Sequence, residues 1–219
     1  MARQPREGYK MDVRQDLKRC GCMLLERRLV WAHSGNISAK TEPNAFLITA
    51  AGADLGALHD EDLVLCQIDK DSWDGTKRPS IERGLHQSIY RACKRAAAVV
   101  HSQPFYSTLV ACSEIAVQTD LFPEAMAYLG SVERVPYYHA GSYELAEATA
   151  AKAQASQVLL LENHGVVCWG SSLDATLLRT ETLEFLCRLL VVSCVNGISL
   201  NYLGDDVMED FGQHLRRIG

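Results

Sequence analysis

The sequence lacks any hydrophobic run long enough to cross a membrane. Apolar stretches such as 158–161 and 186–192 are far shorter than the roughly 20 residues that span a bilayer as a helix. The first seven residues, Met-Ala-Arg-Gln-Pro-Arg-Glu, also lack the apolar segment of a secretory signal. We therefore expect a cytoplasmic protein without a membrane partner.

An excess of positive charge is missing as well. The chain has 22 Lys and Arg against 27 Asp and Glu, a net charge of −5, and no basic stripe, so we expect no nucleic-acid partner. It contains neither Gly-x-Gly-x-x-Gly nor a Walker-type loop, which argues against a doubly wound nucleotide-binding fold. None of its eight cysteines forms Cys-x-x-Cys, and most lie in apolar stretches. We interpret them as small hydrophobic side chains in a reducing cytosol.

The composition is that of one globular domain. The chain has 219 residues, of which 47% are hydrophobic and 22% charged. We assign residues 1–9 to a charged tail and 10–219 to the domain. Apolar spacing predicts helices at 12–31 (capped by Asp12), 81–94, 105–112, 142–155, 173–194 and 207–217. Residues 33–40 form a predicted turn that leads into a strand. Further strands are predicted at 45–50, 62–69, 97–101, 158–162 and 166–169. This order predicts an α/β fold, a three-layer α/β/α domain around a mixed, largely antiparallel sheet.

Three side chains with metal-binding or acid–base chemistry stand at the ends of predicted elements. Glu82 opens a helix, His101 closes an apolar strand, and His164 lies in a tight link between two strands. A histidine in such a place is often only a hydrogen-bonded structural residue. Two imidazoles and a carboxylate that converge would suit a divalent metal. Whether they converge is a question for the tertiary structure.

A series of different short motifs follows in a defined order along nearly the whole chain. They are Ser34-Gly-Asn-Ile-Ser38, Leu47-Ile-Thr49 with Gly52, Pro79-Ser-Ile-Glu82, Ala98-Val-Val-His101, Gly141-Ser142 with Glu144-Leu145, and Leu159-Leu-Leu-Glu-Asn-His-Gly165. Each motif is weak alone. In this order and at these spacings, over residues 12–218, the chain resembles the class II aldolase and adducin-head family.

The resemblance implies a metal-dependent lyase that acts on a small-molecule substrate. It implies one divalent metal per subunit, usually zinc, held by His101, by His164 and by a third position that is Gln103 here. It makes Glu82 the acid/base, which needs a pKa near the working pH, and burial could supply such a shift. It also implies substrate contacts from Gly35, Asn36, Gly52 and Ser80, and a homotetramer with sites at subunit interfaces.

Three positions depart from the family pattern. The family's His-x-His pair is His101-Ser-Gln103 here, and hydroxyl residues of the family are replaced by Ala51 and Ile81. In phosphate-using members these hydroxyls help to hold the substrate phosphate. We therefore expect a non-phosphorylated oxo or hydroxy acid, or a sugar, that is cleaved or decarboxylated. Alternatively, Ala51 and Ile81 only repack a neighbouring loop.

Gln103 leaves several interpretations open. It could be a weak third ligand that favours manganese or iron over zinc, it could bind the substrate, or it could point away from the site. A degraded metal site would suit a non-catalytic scaffold like the adducin head. A site with two His and one carboxylate would also approach the ligand set of non-heme iron oxygenases.

Overall fold

The computed structural model describes residues 12–218, so the tail predicted over 1–9 lies outside the described residues. The helices are α1 Val13–Glu26, α2 Arg83–Ala92, α3 Phe105–Ala111, α4 Pro123–Tyr128, α5 Tyr143–Ala153, α6 Leu173–Asn196 and α7 Asp205–Ile218. The strands are β1 Asn36–Glu42, β2 Ala45–Thr49, β3 Leu63–Gln67, β4 Trp73–Asp74, β5 Ala98–Ser102, β6 Val132–Val135, β7 Val158–Leu161 and β8 Gly165–Gly170. None of the described helices is long and apolar enough to span a membrane.

The eight strands form one sheet in the order β4-β3-β2-β1-β5-β8-β7-β6. All neighbouring strands pair antiparallel except β6 and β7, which pair parallel. Strands that are distant along the chain become neighbours at the centre, where β5 lies between β1 and β8. The predicted α/β fold with a mixed, largely antiparallel sheet is confirmed.

Helices cover both faces of the sheet, and the alternation of side chains along the strands explains why. On β7, Leu159 and Leu161 enter the apolar cluster beneath α2 and α5. Val158 and Leu160 point the opposite way and pack with residues of α3, α4 and α6. Because successive strand residues face opposite sides, a continuous apolar run marks a strand that is buried on both faces.

Two predictions at the level of single elements differ from the structure. Asp12 caps α1 as predicted and accepts a hydrogen bond from the Arg14 nitrogen at 3.0 Å, but the helix ends at Glu26 rather than near residue 31. Arg28, two residues beyond the helix end, has a left-handed backbone φ of 57°, which a continuing helix does not accommodate, and Ala32 has a φ of 48°. In addition, α4 and β6 lie in a segment for which we predicted no element.

Candidate metal centre

Three predicted site residues meet at one end of the central strands. Glu82 is the residue immediately before α2, His101 lies on β5, and His164 lies in the link between β7 and β8. Their ligand atoms all lie within 4.8 Å of one another. The Glu82 carboxylate is 3.1 Å from His101 Nε2 and 3.3 Å from His164 Nε2. The tertiary structure therefore brings together two imidazoles and a carboxylate that are separated in sequence.

The orientation of His101 is set by the neighbouring strand. Its Nδ1 donates a hydrogen bond to the Val166 carbonyl at 2.9 Å, and the ring is fully buried. With Nδ1 as the donor, Nε2 is directed at Glu82. This is the arrangement that metal-binding histidines usually show, since a backbone carbonyl fixes the ring and its tautomer.

His164 is presented by a tight turn that needs unusual backbone angles. Asn163 has a φ of 54° and Gly165 a φ of 155°. A Cβ atom at Gly165 would lie 2.7 Å from the Ser102 carbonyl oxygen, so only glycine fits between the two strands there. The Asn-His-Gly sequence therefore produces a link that directs the imidazole toward β5.

The carboxylate of Glu82 is buried and asymmetrically bonded. Its Oε2 accepts a hydrogen bond from Asn36 Nδ2 at 2.9 Å. Its Oε1 has no hydrogen-bond donor among the described residues, although it is buried. A buried carboxylate oxygen without a donor is costly in a folded protein, and such an atom suits a cation or a substrate proton.

The three groups shift one another's pKa values. Burial alone would raise the pKa of Glu82, but the His101 imidazole and the Asn36 amide hold it well below its ordinary value. Burial likewise disfavours a charged His101, yet the Glu82 carboxylate raises the net pKa of this imidazole. For His164, burial and the charge of His101 lower the pKa. Our expectation that burial moves the Glu82 pKa toward neutrality is wrong for this structure, because the nearby donors and cations outweigh desolvation.

Gln103 lies beside the site, but its amide nitrogen, and not its amide oxygen, faces His101. Its Nε2 is 2.8 Å from His101 Nε2, and its Oε1 is buried without a donor. An amide nitrogen cannot coordinate a cation, whereas the amide oxygen can. The Gln103 side chain therefore lies beside the candidate metal site and does not point away from it.

Of the predicted substrate-binding residues, Gly35, Gly52 and Ser80 lie in loops, whereas Asn36 is the first residue of β1 and is bonded to Glu82 and His86. Ser80 Oγ accepts a hydrogen bond from the Glu82 nitrogen at 3.2 Å, and the Ser80 nitrogen donates to the Thr49 carbonyl at 3.0 Å. Gly52 follows this strand end with a φ of 73°. Gly35 lies directly against β5, where a Cβ would be 2.8 Å from the His101 carbonyl oxygen. Their contact with a substrate stays a prediction.

A buried polar chain supports the Glu82 carboxylate, and the sequence predicted only a substrate contact for one of its members, Asn36. Asn36 Oδ1 lies 2.6 Å from His86 Nε2, and Ser38 Oγ lies 2.7 Å from both His86 Nδ1 and Tyr90 Oη. A sequence signal for it exists. Asn36 and Ser38 are two residues apart on a strand, while Glu82, His86 and Tyr90 are four residues apart on and beside a helix. Each set shares one face.

The chain is similar to a described protein family and to several curated proteins. Residues 15–191 match the family described as class II aldolase and adducin N-terminal domain. The L-fuculose phosphate aldolase of Methanocaldococcus jannaschii is 33% identical over 183 residues, covering 84% of this chain and 97% of the relative. The 3-oxo-tetronate 4-phosphate decarboxylase of Haemophilus influenzae is 30% identical over 194 residues, covering 87% of this chain and 91% of the relative.

Solved structures show the same fold. The YgbL protein of Klebsiella pneumoniae superimposes with a TM-score of 0.86 at 28% identity and covers 94% of this chain and all of its own. An L-fuculose 1-phosphate aldolase superimposes with a TM-score of 0.86 at 25% identity, covering 94% of this chain and 97% of its own. The family match over residues 15–191 includes Glu82, His101 and His164. The chain therefore belongs to the class II aldolase and adducin N-terminal domain family.

Proposed function

We propose that this protein is a divalent-metal-dependent lyase that breaks a carbon–carbon bond in a small oxo or hydroxy acid or a sugar. The reaction is an aldol cleavage or a decarboxylation. The observation that carries the proposal is the convergence of Glu82, His101 and His164 within 4.8 Å. Relatives of the chain are named as aldolases and as decarboxylases, which supports a lyase of this general type.

The residues of the site fit a divalent cation such as zinc. His101 is held by the Val166 carbonyl with Nε2 toward the cluster, and Glu82 Oε1 is buried and lacks a donor among the described residues. Imidazole nitrogen and carboxylate oxygen are ordinary zinc, manganese and iron ligands. A cation among these three side chains would also compensate the buried negative charge of Glu82.

Gln103 would have to turn its amide by half a rotation to join such a site. A metal at His101 Nε2, or a proton there, is incompatible with an N–H of Gln103 directed at the same atom 2.8 Å away. A half rotation exchanges the amide nitrogen for Oε1. We propose Gln103 as a weak third protein ligand, in which case the site favours manganese or iron more than a three-histidine site does.

The chemistry divides between the cation and the side chains. A bound divalent cation supplies an electrophile to a substrate oxygen and so stabilises the negative charge that develops when the carbon–carbon bond breaks. Glu82 is the proposed acid/base, and Oε1 is the atom available to exchange a proton, because it has no hydrogen-bond donor among the described residues. Asn36 keeps Oε2 occupied, so the proton and the substrate meet the other oxygen.

Metal analysis of three alanine variants tests the proposal. His101→Ala and His164→Ala should each lose the divalent metal that the purified wild-type protein carries, since each removes one imidazole from the cluster. The matched control is His214→Ala, because His214 is exposed on α7, and it should keep full occupancy. Full metal occupancy in either site variant would exclude that histidine from the coordination sphere.

We further propose that the substrate is not phosphorylated. Ala51 and Ile81 offer no hydroxyl groups, and the Ile81 side chain is 70% exposed beside Glu82 and presents an apolar surface there. The hydroxyl of Thr49 already accepts a hydrogen bond from the Ile37 nitrogen at 3.2 Å. The names of the relatives refer to phosphorylated substrates, so this proposal concerns a difference between this chain and them.

A panel of matched compounds with and without phosphate tests the substrate class. We expect kcat/KM to be higher for the unphosphorylated member of each pair. The double variant Ala51→Thr/Ile81→Ser restores the two hydroxyls and should shift the preference toward the phosphorylated member. Efficient wild-type turnover of a sugar phosphate that disappears when the phosphate is removed would refute the substrate class while leaving the lyase intact.

We also propose a homotetramer in the cytoplasm. Large apolar side chains near the site are exposed in the single chain, including Trp31 at 66% and Phe105 at 71%, and a subunit contact would cover them. All eight cysteines, which lie within the described residues, are unpaired, as is usual in a reducing compartment.

One alternative has a specific observation in its favour. The described cluster contains two imidazoles and one carboxylate, which is the ligand set of non-heme iron(II) oxygenases. Oxygen uptake by the iron-loaded protein with a candidate acid separates this reaction from a lyase, which consumes no oxygen. A metal-free protein without turnover would instead favour the adducin-like scaffold.

A further inference from the structure

We propose that His86 is a positioning residue: it fixes the orientation of the Asn36 amide, and Asn36 in turn holds Glu82 with Oε1 directed at the metal or substrate. The inference rests on the proposed metal site. It adds two residues that orient Glu82: Asn36 acts directly, and His86 acts through Asn36.

The contact with the carboxylate identifies the orientation of the Asn36 amide, which Glu82 and His86 hold from opposite sides. An ionised carboxylate accepts hydrogen bonds and donates none, so Asn36 must direct Nδ2 at Glu82 Oε2, 2.9 Å away. The amide oxygen Oδ1 then faces His86 Nε2 at 2.6 Å. Two acceptors cannot share this contact, so Nε2 of His86 must carry the hydrogen.

The other side of His86 completes a chain with a single direction. With the hydrogen on Nε2, a neutral ring accepts at Nδ1, where the Ser38 hydroxyl lies at 2.7 Å and donates. The Ser38 oxygen accepts in turn from the Tyr90 hydroxyl at 2.7 Å. From Tyr90 to Glu82, each group donates one hydrogen bond toward the carboxylate, and no contact joins two donors or two acceptors.

Burial makes this chain a constraint rather than one arrangement among several. His86 is fully buried, and Asn36 is 5% exposed, so water does not supply substitute partners readily. Burial lowers the pKa of His86 to about 3, which keeps the ring neutral with one N–H group. If the donor of His86 is removed, the buried Oδ1 of Asn36 loses its partner, and only the bond to Glu82 still orients the amide. An unpaired buried oxygen is costly, so the support of the carboxylate weakens.

Among the described residues, the His86 ring has no hydrogen bond or ion pair with the Glu82 carboxylate, and the two residues are joined only by the helical bond from the His86 nitrogen to the Glu82 carbonyl at 3.4 Å. The effect of the His86 ring on the carboxylate therefore passes through Asn36. The strand β1 supplies Asn36, and the helix α2 begins directly after Glu82 and carries His86 one turn later. The pairing of β1 with β5 places Asn36 opposite His101, which brings the amide beside the metal site. A strand and a helix thus hold one carboxylate from two directions.

Zinc affinity, measured by titration against a competing chelator, tests the inference with four proteins. His86→Phe fills the ring volume without a donor and should weaken zinc binding by about tenfold, as is typical when a residue supporting a metal ligand is removed. His86→Gln can place an amide N–H near the position of Nε2 and should restore affinity to within a few-fold of wild type. Ser88→Ala removes the buried hydrogen bonds that Ser88, on the same helix but outside this chain, donates to the Leu85 and Ala146 carbonyls, and it should bind zinc like the wild type.

The outcomes separate the inference from the proposed function. If the wild type binds zinc and His86→Phe binds it equally well, the positioning role is refuted and the metal site stands. If the wild type binds no divalent metal, the proposed function fails first. In either case, nitrogen-15 NMR of wild-type His86 is decisive for the orientation, including when His86→Phe does not fold. A neutral ring with the hydrogen on Nε2 supports the chain, and a hydrogen on Nδ1 overturns it.

Discussion

Acid should destabilise this protein through His86, and the size of the effect follows from its burial. The ring is fully buried and hydrogen-bonded as a neutral group, and its pKa falls from 6.5 to about 3. As the pH drops through 6.5, the unfolded chain takes up a proton at this residue and the folded protein does not. The unfolded state therefore binds more protons, and the free energy of unfolding decreases as the pH falls from about 6.5 to about 3.

The magnitude is large compared with the stability of a typical domain. Each pH unit in this window changes the free energy of unfolding by about 1.4 kcal/mol per proton. Between pH 6.5 and pH 4 the His86 contribution is then about 3 kcal/mol, against total stabilities of about 5–15 kcal/mol. His101 has a raised pKa and shifts stability in the opposite direction, so the effect of His86 must be isolated by a difference measurement.

Urea unfolding of the wild type and of His86→Gln at pH 7, 6, 5 and 4 makes this measurement. Both proteins keep His101, His164 and all carboxylates, so these titrations, and any contribution of subunit association at equal protein concentration, cancel to first order. The stability difference between wild type and variant should shift against the wild type by about 3 kcal/mol as the pH falls to 4. A difference that stays constant over this range would show that His86 titrates equally in the folded and unfolded states, and would refute its description as a buried neutral ring.

Three further predictions concern the metal site and the assembly. Gln103→His should raise zinc affinity by about tenfold or more, because imidazole is a stronger zinc ligand than an amide oxygen; equal affinities in chelator competition would place position 103 outside the coordination sphere. Gly165→Ala should lower the free energy of unfolding in urea by about 1–3 kcal/mol and weaken metal binding, since its Cβ would approach the Ser102 carbonyl oxygen to 2.7 Å at a φ of 155°; unchanged stability would contradict this reading of the turn. Light scattering at micromolar concentration should give the mass of a tetramer, and a monomer mass would contradict the assembly.

Much of the architecture was predictable because local patterns are sufficient for it. The apolar run of β7 requires burial on both faces of a sheet, and Asp12 caps a helix wherever such a helix begins. The Asn-His-Gly link predicts a tight turn that exposes an imidazole, since glycine tolerates the backbone angles that the turn needs. Where local signals were weak, at β6 and α4, no element was predicted, and β6 depends on its parallel pairing with β7.

The candidate residues were also identifiable from sequence, but their relationships were not. Glu82, His101 and His164 became candidates through their chemistry and through family motifs. Their convergence depends on β5 lying between β1 and β8, a pairing of segments that are far apart in the chain. Long-range pairing depends on the packing of the whole domain, so no local pattern specifies it.

Only the tertiary structure decided how the site is charged and supported. Burial of Glu82 by itself raises its carboxyl pKa. The net shift is downward because His101 and Asn36 approach to 3.1 Å and 2.9 Å. The support of His86 was likewise decided by the tertiary structure, because its partners Ser38 and Asn36 belong to a strand about 50 residues away. The sequence determined which chemical groups this protein has. Folding determined the distances between them, and so whether desolvation or the neighbouring charges and donors set each pKa, because both energies depend on separation and burial.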